Sequence, residues 1–230
     1  MALYAIGDLH LSFYTDKPMD VFGPQWEKHY EKIENNWRKH ISPEDTVLIP
    51  GDISWAMHLP DARKDLEWIA DLPGRKIFIR GNHDYWWTSL KKMKKAYPEL
   101  IFLQNSHEAY GDFAVCGTRG WVCPSDAKSN MHDDKIYKRE LMRFEMSLES
   151  AKKKGWQRII AMLHYPPTNE RLEPSGFTEL IKEYGVEIVV YGHLHNINAY
   201  GAGIKGVVDG TSYELVSSDY IDFKPKLIMP

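Results

Sequence analysis

The sequence predicts an α/β chain, and two observations carry that expectation. Short apolar runs rich in β-branched residues alternate with segments whose apolar residues recur at helical spacing. Five of the apolar runs end in side chains that can ligate a metal or move a proton, as happens when strand ends along one edge of a sheet gather distant residues.

The central run is Ile77-Phe78-Ile79, read as a buried strand, after which Gly81 permits a sharp turn into Asn82, His83 and Asp84. An amide oxygen, an imidazole and a carboxylate together suit a hard or borderline divalent metal and proton transfer. One such turn is weak evidence, but four other runs end similarly. Leu3 to Ile6 precedes Gly7-Asp8-Leu9-His10, and Val47 to Ile49 precedes Pro50-Gly51-Asp52. Ile159 to Leu163 runs into His164-Tyr165-Pro166-Pro167, and Ile188 to Tyr191 into Gly192-His193-Leu194-His195. Five of the 10 histidines stand at these ends, in company with Asp8, Asp52 and Asn82, a clustering that scattered surface histidines would not produce.

Between the strands the helices are read from periodicity. Trp26, Tyr30, Ile33 and Trp37 predict an amphipathic helix from about Pro24 to Lys39, after a polar loop from Ser12 to Pro24. The segment Ile53 to His58 is expected to line a cleft, with His58 not a ligand. Asp61 to Asp71 is a second helix with Asp61 as its cap and Pro73-Gly74 as its stop. Ser89 to Tyr97 is a third, with a solvated face of lysines. Ile101 to Leu103 and Phe113 to Cys116 are short strands, the latter leading to Arg119 and Trp121 on a glycine-flanked turn. Val122 to Lys135 is expected to be a loop. Within it Asp126, His132, Asp133 and Asp134 are not assigned to a metal, because Asp133 and Asp134 suit the start of the next helix. That helix carries Tyr137, Leu141, Phe144, Leu148 and Ala151, up to Lys154-Gly155. A further helix spans about Phe177 to Tyr184, and Ile204 to Phe223 reads as hairpin strands of a second sheet.

Composition limits the function. A chain of 230 residues can bury a large core, and one domain over 1–230 is expected. Net charge −3 with 27% charged residues leaves no global basic footprint, so nucleic acid and anionic membrane are not expected as partners; a small, locally held substrate is. No basic leader and no apolar stretch of bilayer length is evident, which predicts a cytoplasmic protein. Cys116 and Cys123 are too few for a disulfide framework and are expected to be reduced and buried.

Taken in order, Asp8/His10, Gly51-Asp52, Gly81 to Asp84, His164 and Gly192 to His195 resemble the calcineurin-like metallophosphoesterases. The resemblance implies a two-sheet β-sandwich flanked by helices, in four α/β/β/α layers, with the site at the strand ends. It implies two divalent cations, one held by Asp8, His10, Asp52 and His195, the other by Asp52, Asn82, His164 and His193. Asp52 as the shared ligand agrees with chemistry, since a carboxylate has two oxygens to give and an imidazole one free nitrogen. The implied reaction is hydrolysis of phosphate mono- or diesters by a metal-bound hydroxide, with His83 as proton donor to the leaving group and Asp84 orienting the His83 ring. Ligation without thiolate suits manganese, iron or zinc. Arg119, Trp121, Trp86 and Trp87 are the expected substrate contacts. A non-catalytic adaptor of the same fold and a nuclease of the same family are the competing readings.

Overall fold

The structure, a computed structural model, describes residues 1–125 and 131–230; Asp126 therefore lies outside the described residues. The chain divides into two compact units, Met1–Phe102 with Val216–Pro230, and Leu103–Leu215. Each is built on one mixed sheet.

In the first unit the strands are β1 (Leu3–Ala5), β2 (Thr46–Ile49), β3 (Arg75–Phe78), β4 (Ile101–Phe102) and β11 (Lys226–Met229), in the order β11-β1-β2-β3-β4. β1 to β4 run parallel and β11 pairs antiparallel to β1. All four residues of β2 are buried, as its unbroken apolar run requires of a central parallel strand. Helices α1 (His29–His40), α2 (Arg63–Asp71) and α3 (Leu90–Ala96) supply Ile33, Trp37, Leu66, Ile69 and Met93 to the same apolar cluster as Val47, Ile49 and Phe78. Each fully buried side chain of this size contributes roughly 1.5–3 kcal/mol.

Two expectations are corrected here. The predicted helix from Pro24 is a single 3-10 turn (Pro24–Trp26) and then α1, because Lys28 takes left-handed backbone (φ 49°) and breaks the run. Asp61 caps nothing: Ala62 holds the cap position of α2, without a side-chain hydrogen bond.

The second unit contains β5 (His107–Tyr110), β6 (Phe113–Thr118), β7 (Arg158–Leu163), β8 (Val186–Tyr191), β9 (Gly206–Val208) and β10 (Thr211–Leu215), ordered β5-β6-β7-β8-β10-β9. β6, β7, β8 and β10 are parallel, with antiparallel β5 and β9 at the edges. β9 and β10 form the expected hairpin. Its two-residue turn is Asp209-Gly210 with φ of 50° and 85°, the backbone that matches strand twist and that Asp-Gly adopts readily. Helix α4 (Met131–Lys153) buries Tyr137, Phe144, Leu148 and Ala151, and carries Asp133 and Asp134 in its first turn. Helix α5 (Gly176–Glu183) begins with a capping box between Ser175 and Thr178.

Among the described residues, two mixed sheets of five and six strands with five α-helices are the elements of the α/β sandwich that the resemblance implies. Both cysteines are buried, and burial pushes each thiol up to about 12, so neither is a reactive thiolate at neutral pH. Among the described residues no helix is long and apolar enough to cross a membrane.

Candidate metal centre

Each unit carries its own set of candidate ligands at the carboxyl ends of its parallel strands. In the first unit Asp8, His10 and Asp52 lie just past β1 and β2 in left-handed backbone, with φ of 57°, 45° and 51°. Such backbone costs an L-residue about 1 kcal/mol, less for Asp, and has to be held in place by its surroundings. Here the two turns hold one another. The Asp8 amide donates to the Gly51 carbonyl, the His10 amide to the Asp52 carbonyl and the Leu11 amide to the Ile53 carbonyl, each at 3.0 Å. All three candidate ligands are buried.

Asp52 faces two ways. Its Oδ1 accepts the His83 amide at 2.8 Å, and its Oδ2 lies 3.7 Å from Nε2 of His10. A Cβ on Gly81 would overlap the amide and carboxylate of Asp52, so glycine is what lets the turn after β3 pass this close. Asn82 and His83 are half-buried on that turn.

Asp84 is fully buried and accepts from three directions. Oδ2 takes the Gly81 amide at 2.7 Å; Oδ1 takes the Ile53 amide at 2.9 Å, the Ser54 amide at 3.2 Å and the Trp86 indole N–H at 2.9 Å. The carboxylate thus ties the turn carrying Asn82 and His83 to the segment following Asp52. Trp86, one of the expected substrate contacts, is 1% exposed and serves as one of these donors, while Trp87 is 8% exposed.

Three residues matter here that the apolar spacing did not mark. Trp55 stacks on His10 (centroids 4.9 Å, 21°) and meets His83 at 4.3 Å, so one indole braces both rings. Asp65, on the buried face of α2, accepts from the Ser54 hydroxyl and from the Phe13 amide at 2.9 Å, and burial raises its pKa. The ring of His29 bridges the Leu9 and Trp26 carbonyls at 3.0 and 3.2 Å, with burial lowering its pKa. A charged or imidazole residue within an otherwise apolar helix face is the signal that could have found the last two.

In the second unit His164 follows β7, and His193 (φ 70°) and His195 follow β8. The Gly192 amide donates to the His164 carbonyl at 3.1 Å, and the His164 and His193 rings meet edge to face at 5.1 Å. Tyr165 lies on His193 at 4.0 Å. The Arg119 carbonyl accepts the amides of both His164 and Tyr165 at 3.0 Å, so the turn after β6 positions the end of β7. The Arg119 side chain lies 4.5 Å over Trp121 and pairs at 3.4 Å with Glu140, which is 1% exposed and also accepts from Thr118, Arg139 and Arg143. Trp121 donates to Asp133 at 3.0 Å, which employs that carboxylate structurally.

The donor set fits a divalent metal. Buried carboxylates from Asp8 and Asp52 and an imidazole from His10 stand together in the first unit, three imidazoles stand at strand ends in the second, and no thiol is among them. A buried carboxylate is costly unless a cation or donors compensate it, which a metal would do.

A family model described as calcineurin-like phosphoesterase matches residues 1–196. Among curated proteins, the "Gene 66 protein" of Mycobacterium phage L5 is 35% identical over 77 residues, 34% of this chain and 37% of that protein. The chain thus spans little more than a third of that relative. The corresponding protein of Mycobacterium phage D29 is 24% identical over 82% of this chain and 76% of its own length. An uncharacterized protein of Methanocaldococcus jannaschii is 23% identical over 57% of this chain and 72% of its own length. Among solved structures, a protein of unknown function from Aquifex aeolicus covers 98% of this chain and 94% of its own at 19% identity, with a TM-score of 0.48. Because the family model runs through every strand-end cluster from Asp8 to His195, the chain belongs to the calcineurin-like phosphoesterase family.

Proposed function

We propose that the protein is a single-domain hydrolase of small phosphate mono- or diesters that works with two divalent cations, manganese, iron or zinc. Asp8, His10, Asp52 and His195 hold one, and Asp52, Asn82, His164 and His193 the other. The observation that carries the reading is Asp52, whose Oδ2 faces His10 from one ligand set and whose Oδ1 accepts the His83 N–H on the turn that also carries Asn82 from the other. Cations in these positions would lower the pKa of water and offset charge on the phosphoryl oxygens.

The chain's own groups do the rest. His83 hands a proton to the departing oxygen; its amide is fixed on Asp52 and its ring rests against Trp55. Asp84 acts on this donor through the backbone, by holding the Gly81 turn against Ile53 and Ser54. Arg119 supports His164 through its carbonyl and offers part of its guanidinium to substrate phosphate. The test is turnover of a generic aryl phosphate by purified protein, with and without each metal. Manganese-, iron- or zinc-dependent release of phosphate is expected; metal bound without any turnover would favour a non-catalytic adaptor.

A further inference from the structure

Between the segment Met57 to Pro60 and the segment Tyr85 to Thr88 the first unit has a cavity of about 420 Å³, within the size range of small-molecule sites. Its walls are Met57 and Leu59 from the segment after Ala56 and Tyr85, Trp86 and Trp87 from the segment after Asp84, the two tryptophans largely buried. Met57 and Tyr85 are 54% and 52% exposed, large apolar surfaces left open to water at its rim. Lys92 lines the cavity, and no carboxylate is among the described residues that do.

Resting on the proposed reaction, we infer that this cavity receives the alcohol portion of the substrate, and that this portion is a flat aromatic group carrying a second negative charge. Three observations converge on that occupant. The cavity neighbours the proposed proton donor through Tyr85, a wall residue whose ring stands edge-on to His83 at 6.4 Å between centroids. An alcohol that takes its proton from His83 on its Tyr85 side departs toward this cavity. Aromatic walls favour a planar ring through offset or edge-to-face contact, and a lone ammonium with no opposing carboxylate favours an anion. An uncharged aliphatic alcohol would use neither feature.

The test compares phenyl phosphate, 4-carboxyphenyl phosphate and methyl phosphate on the metal-loaded wild type, Lys92→Met and Tyr85→Ala. Lys92→Met is expected to lower the preference for the carboxylated over the plain phenyl ester by about three- to fivefold, through KM, as suits a solvent-accessible ion pair. Tyr85→Ala is expected to raise KM for both aryl esters roughly tenfold relative to methyl phosphate. Equilibrium binding of 4-hydroxybenzoate, followed by quenching of tryptophan fluorescence, supplies a readout independent of turnover. Saturable quenching weakened by Lys92→Met supports the cavity even if no ester is hydrolysed, in which case the phosphoesterase reading alone fails. Turnover with selectivity unmoved by either variant, or no saturable quenching, overturns the cavity assignment and leaves the hydrolase standing.

Discussion

Replacing Asp84 with Asn separates two accounts of this residue. On one account the carboxylate orients the His83 ring; on the other it holds the scaffold by gathering the Gly81, Ile53 and Ser54 amides and the Trp86 indole, as it does in the structure. In Asp84→Asn the less costly arrangement keeps the amide oxygen toward the three donors at Oδ1. The new NH2 then faces the Gly81 N–H that had been bound at 2.7 Å. One charge-assisted bond is lost, worth about 1.5–3 kcal/mol, and a buried donor is left unmatched, for a total of roughly 3 kcal/mol. In a chain of this size that lowers the melting temperature by roughly 6–12 °C. Asp84→Ala, which strands all four donors, should cost more, about 4 kcal/mol or above. Urea and thermal unfolding of both variants measure this. If melting were unchanged in Asp84→Asn while turnover fell, the scaffold role would be wrong and a direct partnership with His83 would replace it.

Four further outcomes are expected. Asp52→Asn should reduce metal content at both positions together, read by elemental analysis after dialysis; two ions retained per chain would end the shared-ligand assignment. His83→Ala should keep its metals and lose about 10²-fold or more of activity toward esters of weakly acidic alcohols, with a smaller loss for aryl esters, whereas equal losses for both would argue against proton donation. Gly81→Ala should displace Asp52, because the added methyl overlaps its amide and carboxylate, and metal affinity measured by competition with a chelator should fall at least tenfold. Lys76 is buried, donates to the Ala70 and Leu72 carbonyls at the end of α2, and is pulled down by desolvation from 10.5 to about 8. Between those values the unfolded chain keeps a proton that the folded chain has shed, so unfolding free energy should rise with pH across about 8 to 10.5. Against Lys76→Met as the reference, the rise should be roughly 1–3 kcal/mol by denaturant titration, and a difference that falls over this window would contradict the sign.

The strand-end clusters were legible because apolar runs and polar punctuation are local properties. Asp8, Asp52, Asn82, His164, His193 and His195 each follow closely on a short apolar run of strand length. Hairpin strands within Ile204 to Phe223 were also legible, and the structure puts their turn at Asp209-Gly210, a dipeptide that takes two consecutive positive φ angles cheaply. Edge strands were not: β5 reads His-Glu-Ala-Tyr and is only partly buried, so no periodicity marks it, and β11 lies beyond the segment read as strands. The break at Lys28 was also silent, because nothing in that residue type announces left-handed backbone.

The residue order alone therefore determined the α/β class, the family pattern and the candidate ligands, all of which follow from local hydrophobic period and from which groups can donate to a metal. Only the tertiary structure decided how those groups are held: that Asp84 serves amides from two separate turns, that Trp55 braces two imidazoles, and that Asp65 ties the Ser54 segment to α2. The physical reason is range. A strand end is written in five or six neighbouring residues, whereas a buried carboxylate finds its donors wherever the fold has left unpaired N–H groups, and no local pattern records which ones those are.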